Sequence, residues 1–219
     1  MPHWLLIHSA FLGPASWHGV AAQLQGNGQT AVVPDLRPHA LSAAHIAGAA
    51  AIAAPGPVAV AVHSAAGALV PALAEELGER LERVVFVDAA MPEPSRSWAD
   101  RAPSEMVGML RKRGSLTHAP PWSTWWHAAT LEQLLPDATV RARVLSECQP
   151  VPWTLLEETV TADQTWLHRP AAYIQLSEAY AAEAELAETL GWPLLRLTSD
   201  HLALITDPAA VADVLVSLV

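Results

Sequence analysis

Short apolar runs, each bounded by turn residues, alternate along the chain with longer stretches of helical patterning. No other feature of the sequence constrains the fold as much. The runs are Trp4–His8, Thr30–Pro34, Val58–His63, Val84–Val87, Ala172–Leu176 and Leu194–Leu197. None alternates apolar with polar residues, which is the pattern of strands covered on both faces. Helices are predicted between them at Ser16–Gln25, Leu41–Ala53, Ala65–Leu81, Ser177–Leu190 and Pro208–Leu218, the last opening on a proline where the first turn tolerates a missing N–H. The expected fold is therefore α/β, a mostly parallel central sheet flanked by helices.

Between about Met91 and Pro170 the pattern changes: no convincing strand is visible, prolines are frequent, and Trp98, Trp122, Trp125, Trp126, Trp153 and Trp166 all fall here. This stretch reads as a helical cap inserted between two strands of a single domain spanning 1–219. Its tryptophans either pack the cap against the core or line an apolar pocket. With 219 residues, 52% of them hydrophobic and 16% charged, the chain can bury one sizeable core.

A formal net charge of -10 argues against a nucleic-acid partner, since phosphate binding needs a basic face. The one basic run, Arg111-Lys112-Arg113, is short and reads as solvated surface. The apolar stretch Val58–Ala74 carries His63, Ser64, Gly67 and Pro71 and follows Pro55-Gly56-Pro57, so a buried strand and helix fit it better than a membrane span. Cys148 is the only cysteine, and the first residues lack a basic region or cleavage pattern, so a cytoplasmic location is expected. Neither a Cys/His cluster nor a His-x-x-x-His spacing points to a metal, and no Gly-x-Gly-x-x-Gly follows the first strand. The expectation is a small-molecule substrate with no cofactor.

The chemistry concentrates in Val58-Ala59-Val60-Ala61-Val62-His63-Ser64-Ala65-Ala66-Gly67. A buried strand runs into a serine flanked by small residues, and a helix begins at once. At such a turn a hydroxyl is presented above the sheet, and the N–H groups opening the helix face whatever it attacks. The segment resembles the nucleophile elbow of the α/β-hydrolase family, Gly-x-Ser-x-Gly with a further Gly, although Val62 and Ala66 stand where the first two glycines belong. The opening Leu5-Leu6-Ile7-His8-Ser9-Ala10-Phe11 is similar to the family's first core strand and oxyanion loop, with Ser9 in place of a Gly. Ala31-Val32-Val33-Pro34-Asp35-Leu36-Arg37-Pro38-His39 resembles its next strand and Pro-Asp turn.

The resemblance implies an α/β-hydrolase fold with a small helical cap. Within the family it points to the methylesterase and hydroxynitrile-lyase-like group and its bacterial esterase relatives. It implies Ser64 as nucleophile, the backbone N–H groups of Ala10 and Ala65 as oxyanion donors, and His8 as a loop-shaping residue. His201, in Leu197-Thr198-Ser199-Asp200-His201 before a Pro-initiated helix, stands where the family places its catalytic histidine. For the acid, the family's Asp position is occupied by Ala179. Glu178, one residue earlier, is the first candidate, and Asp88, at the end of the strand after the elbow, is the alternative. Asp200 adjoins His201 but points to the opposite side of an extended chain.

The implied activity is that of a serine hydrolase, a probable carboxylesterase acting on a small apolar or aromatic ester or lactone. Two rivals remain. One is a carbon–carbon hydrolase or lyase on the same site, for which cyanide binding would need a cation other than Lys112. The other is a ligand-binding, receptor-like pseudoenzyme, suggested by Val62 and Ala179.

Overall fold

The computed structural model describes residues 3–37, 41–160 and 164–218. Eight strands are formed: β1 (His3–Ile7), β2 (Ala31–Val32), β3 (Val58–Ser64), β4 (Leu81–Ala89), β5 (His118–Ala119), β6 (Val151–Pro152), β7 (Ala171–Gln175) and β8 (Leu194–Arg196). Six make one sheet in the order β2-β1-β3-β4-β7-β8, with every neighbouring pair parallel.

The helices are α1 (Ala15–Gly26), α2 (Ala43–Ala53), α3 (Val70–Leu77), α4 (Trp98–Arg101), α5 (Ser104–Arg113), α6 (Ala128–Leu134), α7 (Ala138–Glu147), α8 (Trp153–Leu156), α9 (Ala181–Thr189), α10 (Ala203–Thr206) and α11 (Pro208–Ser217). Local chemistry starts several of them. Ser42 accepts the His45 N–H ahead of α2, Asp137 accepts those of Thr139 and Val140 ahead of α7, and Asp207 accepts that of Ala210 ahead of α11.

The continuous apolar runs are explained by two cores. Leu5, Ile7, Val60, Val62, Phe86 and Tyr173 point into one, with α2, α3 and α9. Trp4, Leu6, Ala59, Ala61, Val85 and Ile174 point into the other, with α1, α10 and α11. Successive side chains alternate between faces, and because both faces are covered both sets are apolar. Among the described residues no helix is long and apolar enough to cross a membrane; Val58–Ala74 forms β3, a 3₁₀ turn and the start of α3.

Several boundaries differ from those predicted. The helix expected over Ala65–Leu81 is a 3₁₀ turn (Ala65–Leu69), then α3, then a second turn ending at Arg80, so β4 begins at Leu81 and is longer than expected. The helix expected from Ser177 starts at Ala181, after a 3₁₀ turn at Glu178–Tyr180. Residues 90–170 are mostly helical, but β5 and β6 pair as a two-residue antiparallel ladder where no strand was expected. Two-residue strands containing Pro152 carry no periodicity to read. In the Pro-Asp turn, Pro38 and His39 lie outside the described residues.

Of the six tryptophans in this stretch, Trp98 and Trp125 pack on Phe11, with ring centroids 4.8 and 4.9 Å away. Trp153 and Trp166 are buried in the core cluster, while Trp126 is exposed.

Candidate active site

Ser64 ends β3 with φ 58° and ψ -130°, a left-handed backbone that a side chain adopts only under strain. The turn is set by a register shift: His63 pairs with Val87, but Ser64 pairs with Ala89. Val62 lies before the shift, in regular pairing with Ile7 and Phe86, so its bulk fills the core without crowding the turn. Gly67 is the position that tolerates no side chain. A Cβ there would stand 2.0 Å from the Ala90 carbonyl oxygen, because the turn after Ser64 lies directly against the end of β4. Gly67→Ala is therefore expected to destabilise the fold by about 3 kcal/mol, the upper end of ordinary overpacking, read as a lowered urea midpoint at constant slope.

The end of β4 supplies Asp88, fully buried and itself at φ 44°. Its Oδ1 accepts the backbone N–H groups of Leu176 (2.9 Å) and Ser177 (3.0 Å), and its Oδ2 accepts the Ser177 hydroxyl at 2.6 Å. The same Oδ2 lies 2.7 Å from His201 Nδ1, across the top of the neighbouring strand β7. Burial works against the carboxylate, but the bonds from His201 and Ser177 outweigh it and hold Asp88 below its ordinary pKa. Asp88 thus fixes the Nδ1–H tautomer of His201 and leaves Nε2 free to take a proton.

Two further rings frame His201. His63 lies 4.5 Å away at 30°, and its Nε2–H donates to the His201 carbonyl oxygen at 3.0 Å. Burial, reinforced by the His201 charge, pushes the His63 pKa down to about 3, so it stays neutral and acts as a backbone anchor. Tyr180 lies 5.0 Å away, nearly parallel at 12°, and its phenol oxygen is 3.2 Å from Ser64 Oγ. Ser64 makes that contact rather than a hydrogen bond to His201.

The backbone amides of Ala65, the residue after Ser64, and of Ala10 have no hydrogen-bond partner among the described residues. Both residues line a cavity of about 40 Å³ together with Ile46, Leu69, Trp98 and Leu155. The loop carrying Ala10 is shaped by His8, whose Nδ1–H donates to the Ser9 carbonyl (2.9 Å) while Nε2 accepts the Leu36 N–H (3.1 Å). Burial lowers the His8 pKa and keeps it neutral, as those two bonds require.

No protein-family model matches the sequence, and a search of curated proteins finds no match. Solved structures do match. An extracellular α/β-hydrolase from a Paenibacillus species superposes with a TM-score of 0.79 at 19% identity, covering 100% of this chain and 99% of that one. Polyneuridine aldehyde esterase gives 0.75 at 16%, covering 99% and 98%. A methylesterase from Arabidopsis gives 0.72 at 15%, again covering 99% and 98%. The chain has the α/β-hydrolase fold.

On this fold Ser64, His201, Ala10 and Ala65 lie at the same end of the sheet, and of the two candidate acids the alternative, Asp88, rather than Glu178 is bonded to His201. The Glu178 side chain is exposed and makes no hydrogen bond or ion pair to a described residue. The ring nitrogen meant for it is bonded to Asp88. The reason is steric and topological. The 3₁₀ turn Glu178–Tyr180 leaves the Glu178 side chain exposed, while β4 lies beside β7 and delivers the Asp88 carboxylate to His201 Nδ1. Asp200 instead accepts the Leu202 N–H at 2.7 Å, which closes the turn carrying His201. Tyr180 was not anticipated. Its one sequence signal is its place three residues past the Ser177 that Asp88 holds.

Proposed function

We propose that the protein is a serine hydrolase, a carboxylesterase that acts on short apolar or aromatic esters through an acyl-enzyme on Ser64. One observation carries this reading: a strained, partly exposed serine is joined through the Tyr180 phenol, whose ring stacks on His201, to a histidine whose Nδ1 is held by a fully buried carboxylate. In this mechanism Ser64 Oγ attacks the ester carbonyl carbon and its proton passes to His201 Nε2. The carbonyl oxygen takes the negative charge against the Ala10 and Ala65 amides. Collapse breaks the carbon–oxygen bond to the leaving alcohol, which receives the proton from His201. Water then repeats the cycle, losing its proton to His201, releasing the acid and returning the proton to Ser64.

The cavity lined by Ala10 and Ala65 has room for roughly three water-sized groups and, apart from Glu158, is lined by apolar side chains, which suits a short acyl chain. A cyanide-releasing lyase would need a cation above the pocket, and Lys112 is exposed on α5, so that rival gains no support. The lone Cys148 supports a cytoplasmic setting.

The test is to treat the protein with a fluorophosphonate and map the adduct, and to assay p-nitrophenyl esters of increasing acyl length. One adduct on the peptide carrying Ser64, with turnover falling as the chain outgrows the cavity, is the expected result. Neither adduct nor turnover, in a protein that still binds apolar ligands, would favour the receptor-like alternative.

A further inference from the structure

Resting on that reading of Ser64, we propose that Tyr180 is a catalytic residue. Its phenol donates a hydrogen bond to Ser64 Oγ that is weak at rest and strengthens as that oxygen becomes anionic.

The resting contact is 3.2 Å, long for a bond between two hydroxyls, which are usually separated by about 2.5–3.0 Å. A bond to an anionic oxygen contracts to about 2.5–2.7 Å and is roughly twice as strong. Only such a gain between ground and transition state speeds a reaction. At rest either hydroxyl can donate, but once Ser64 Oγ becomes anionic only the phenol can. Burial is the main influence that pushes the Tyr180 pKa up, to about 12, so the phenol keeps its proton at any working pH. Ser64 is the one hydrogen-bond partner of that phenol among the described residues. With Tyr180 donating, the Ser64 hydroxyl proton is free to turn toward His201 Nε2. Oγ carries charge twice in the cycle, when it attacks and again when it leaves during deacylation, so one donor serves both steps.

The placement of Tyr180 is determined by the same carboxylate that holds His201. Asp88 accepts two backbone N–H groups and a hydroxyl from Leu176 and Ser177, and the turn Glu178–Tyr180 follows directly. The phenol ring, nearly parallel to the imidazole, presents its π face to the cation that forms when His201 takes the serine proton. Tyr180 loses no proton and forms no covalent bond.

The test is Tyr180→Phe, which keeps the ring over His201 and removes one oxygen. The fluorophosphonate labelling rate and kcat are expected to fall about tenfold to thirtyfold, with KM and melting temperature unchanged. Because the bond is to Oγ, the fall should be equal for aryl and alkyl esters of the same acid. Labelling at the wild-type rate or faster would overturn the proposal; a faster rate would mean the phenol holds the serine away from His201. A loss that grows with leaving-group basicity would also overturn it, placing the phenol on the leaving oxygen. Wild-type protein that takes no adduct would overturn the serine-hydrolase reading and this one together, whereas a labelled wild type with an indifferent Tyr180→Phe would overturn this one alone.

Discussion

Ser64→Ala is expected to abolish fluorophosphonate labelling and to lower kcat for short esters by about 10⁶-fold, with the fold left intact. Removing a nucleophile costs rates of that order, and the donors and pocket left behind sustain only a residual ~10³–10⁴ over water. The expected indifference of stability has its own physical basis. The Ser64 side chain caps no helix and makes a single long hydrogen bond, at 3.2 Å to Tyr180. Its φ of 58° is as unfavourable for Ala as for Ser, so the substitution neither relieves nor adds backbone strain. Thermal melting beside burst and steady-state kinetics separates the two effects. A variant that loses activity because it has lost its fold, or one that still takes an adduct on another serine, would remove Ser64 from the mechanism.

How far the sequence disclosed this site depended on whether the information was local. The elbow was legible because β3, Ser64 and Gly67 lie within ten consecutive residues, and the small residues there answer a close approach that Gly67 and the Ala90 carbonyl make concrete. A sheet covered by helices on both faces was implied by unbroken apolar runs, since a strand covered on both faces has no polar side to show. His201 was legible from its place before Pro208. The choice between Glu178 and Asp88 as the partner of His201 was not, because counting along one strand cannot see how the strand beside it is placed. Asp88 and Ser177 are 89 residues apart and meet only because β4 and β7 are sheet neighbours. Tyr180 was hidden for a related reason. A helix beginning at Ser177 would have placed it on a helical face, whereas the 3₁₀ turn at Glu178–Tyr180 delivers its phenol to Ser64.

That contrast makes the two carboxylates the sharpest comparison available. Asp88→Asn is expected to lower kcat by about 10⁴-fold, while Glu178→Gln leaves it within about twofold. In Asp88→Asn the amide oxygen can still accept the Leu176 and Ser177 N–H groups, as Oδ1 does now. The amide nitrogen then faces His201 Nδ1 as a donor. That favours the tautomer with the proton on Nε2, which cannot take a proton from Ser64. The Glu178 carboxylate is exposed and unpaired among the described residues, so neutralising it removes nothing that His201 touches. The pH dependence of stability offers a second, independent readout. Asp88 has a folded pKa below its ordinary carboxylate value, so its charge contributes stability that is complete above the unfolded value near ~4 and is lost as the pH falls through the folded one. Asp88→Asn should therefore flatten the stability profile below about pH 4 and leave its neutral limb parallel to wild type. If Glu178→Gln instead carried the rate loss while Asp88→Asn stayed active, the acid would belong to the turn after β7 and the 2.7 Å contact to His201 would be structural only.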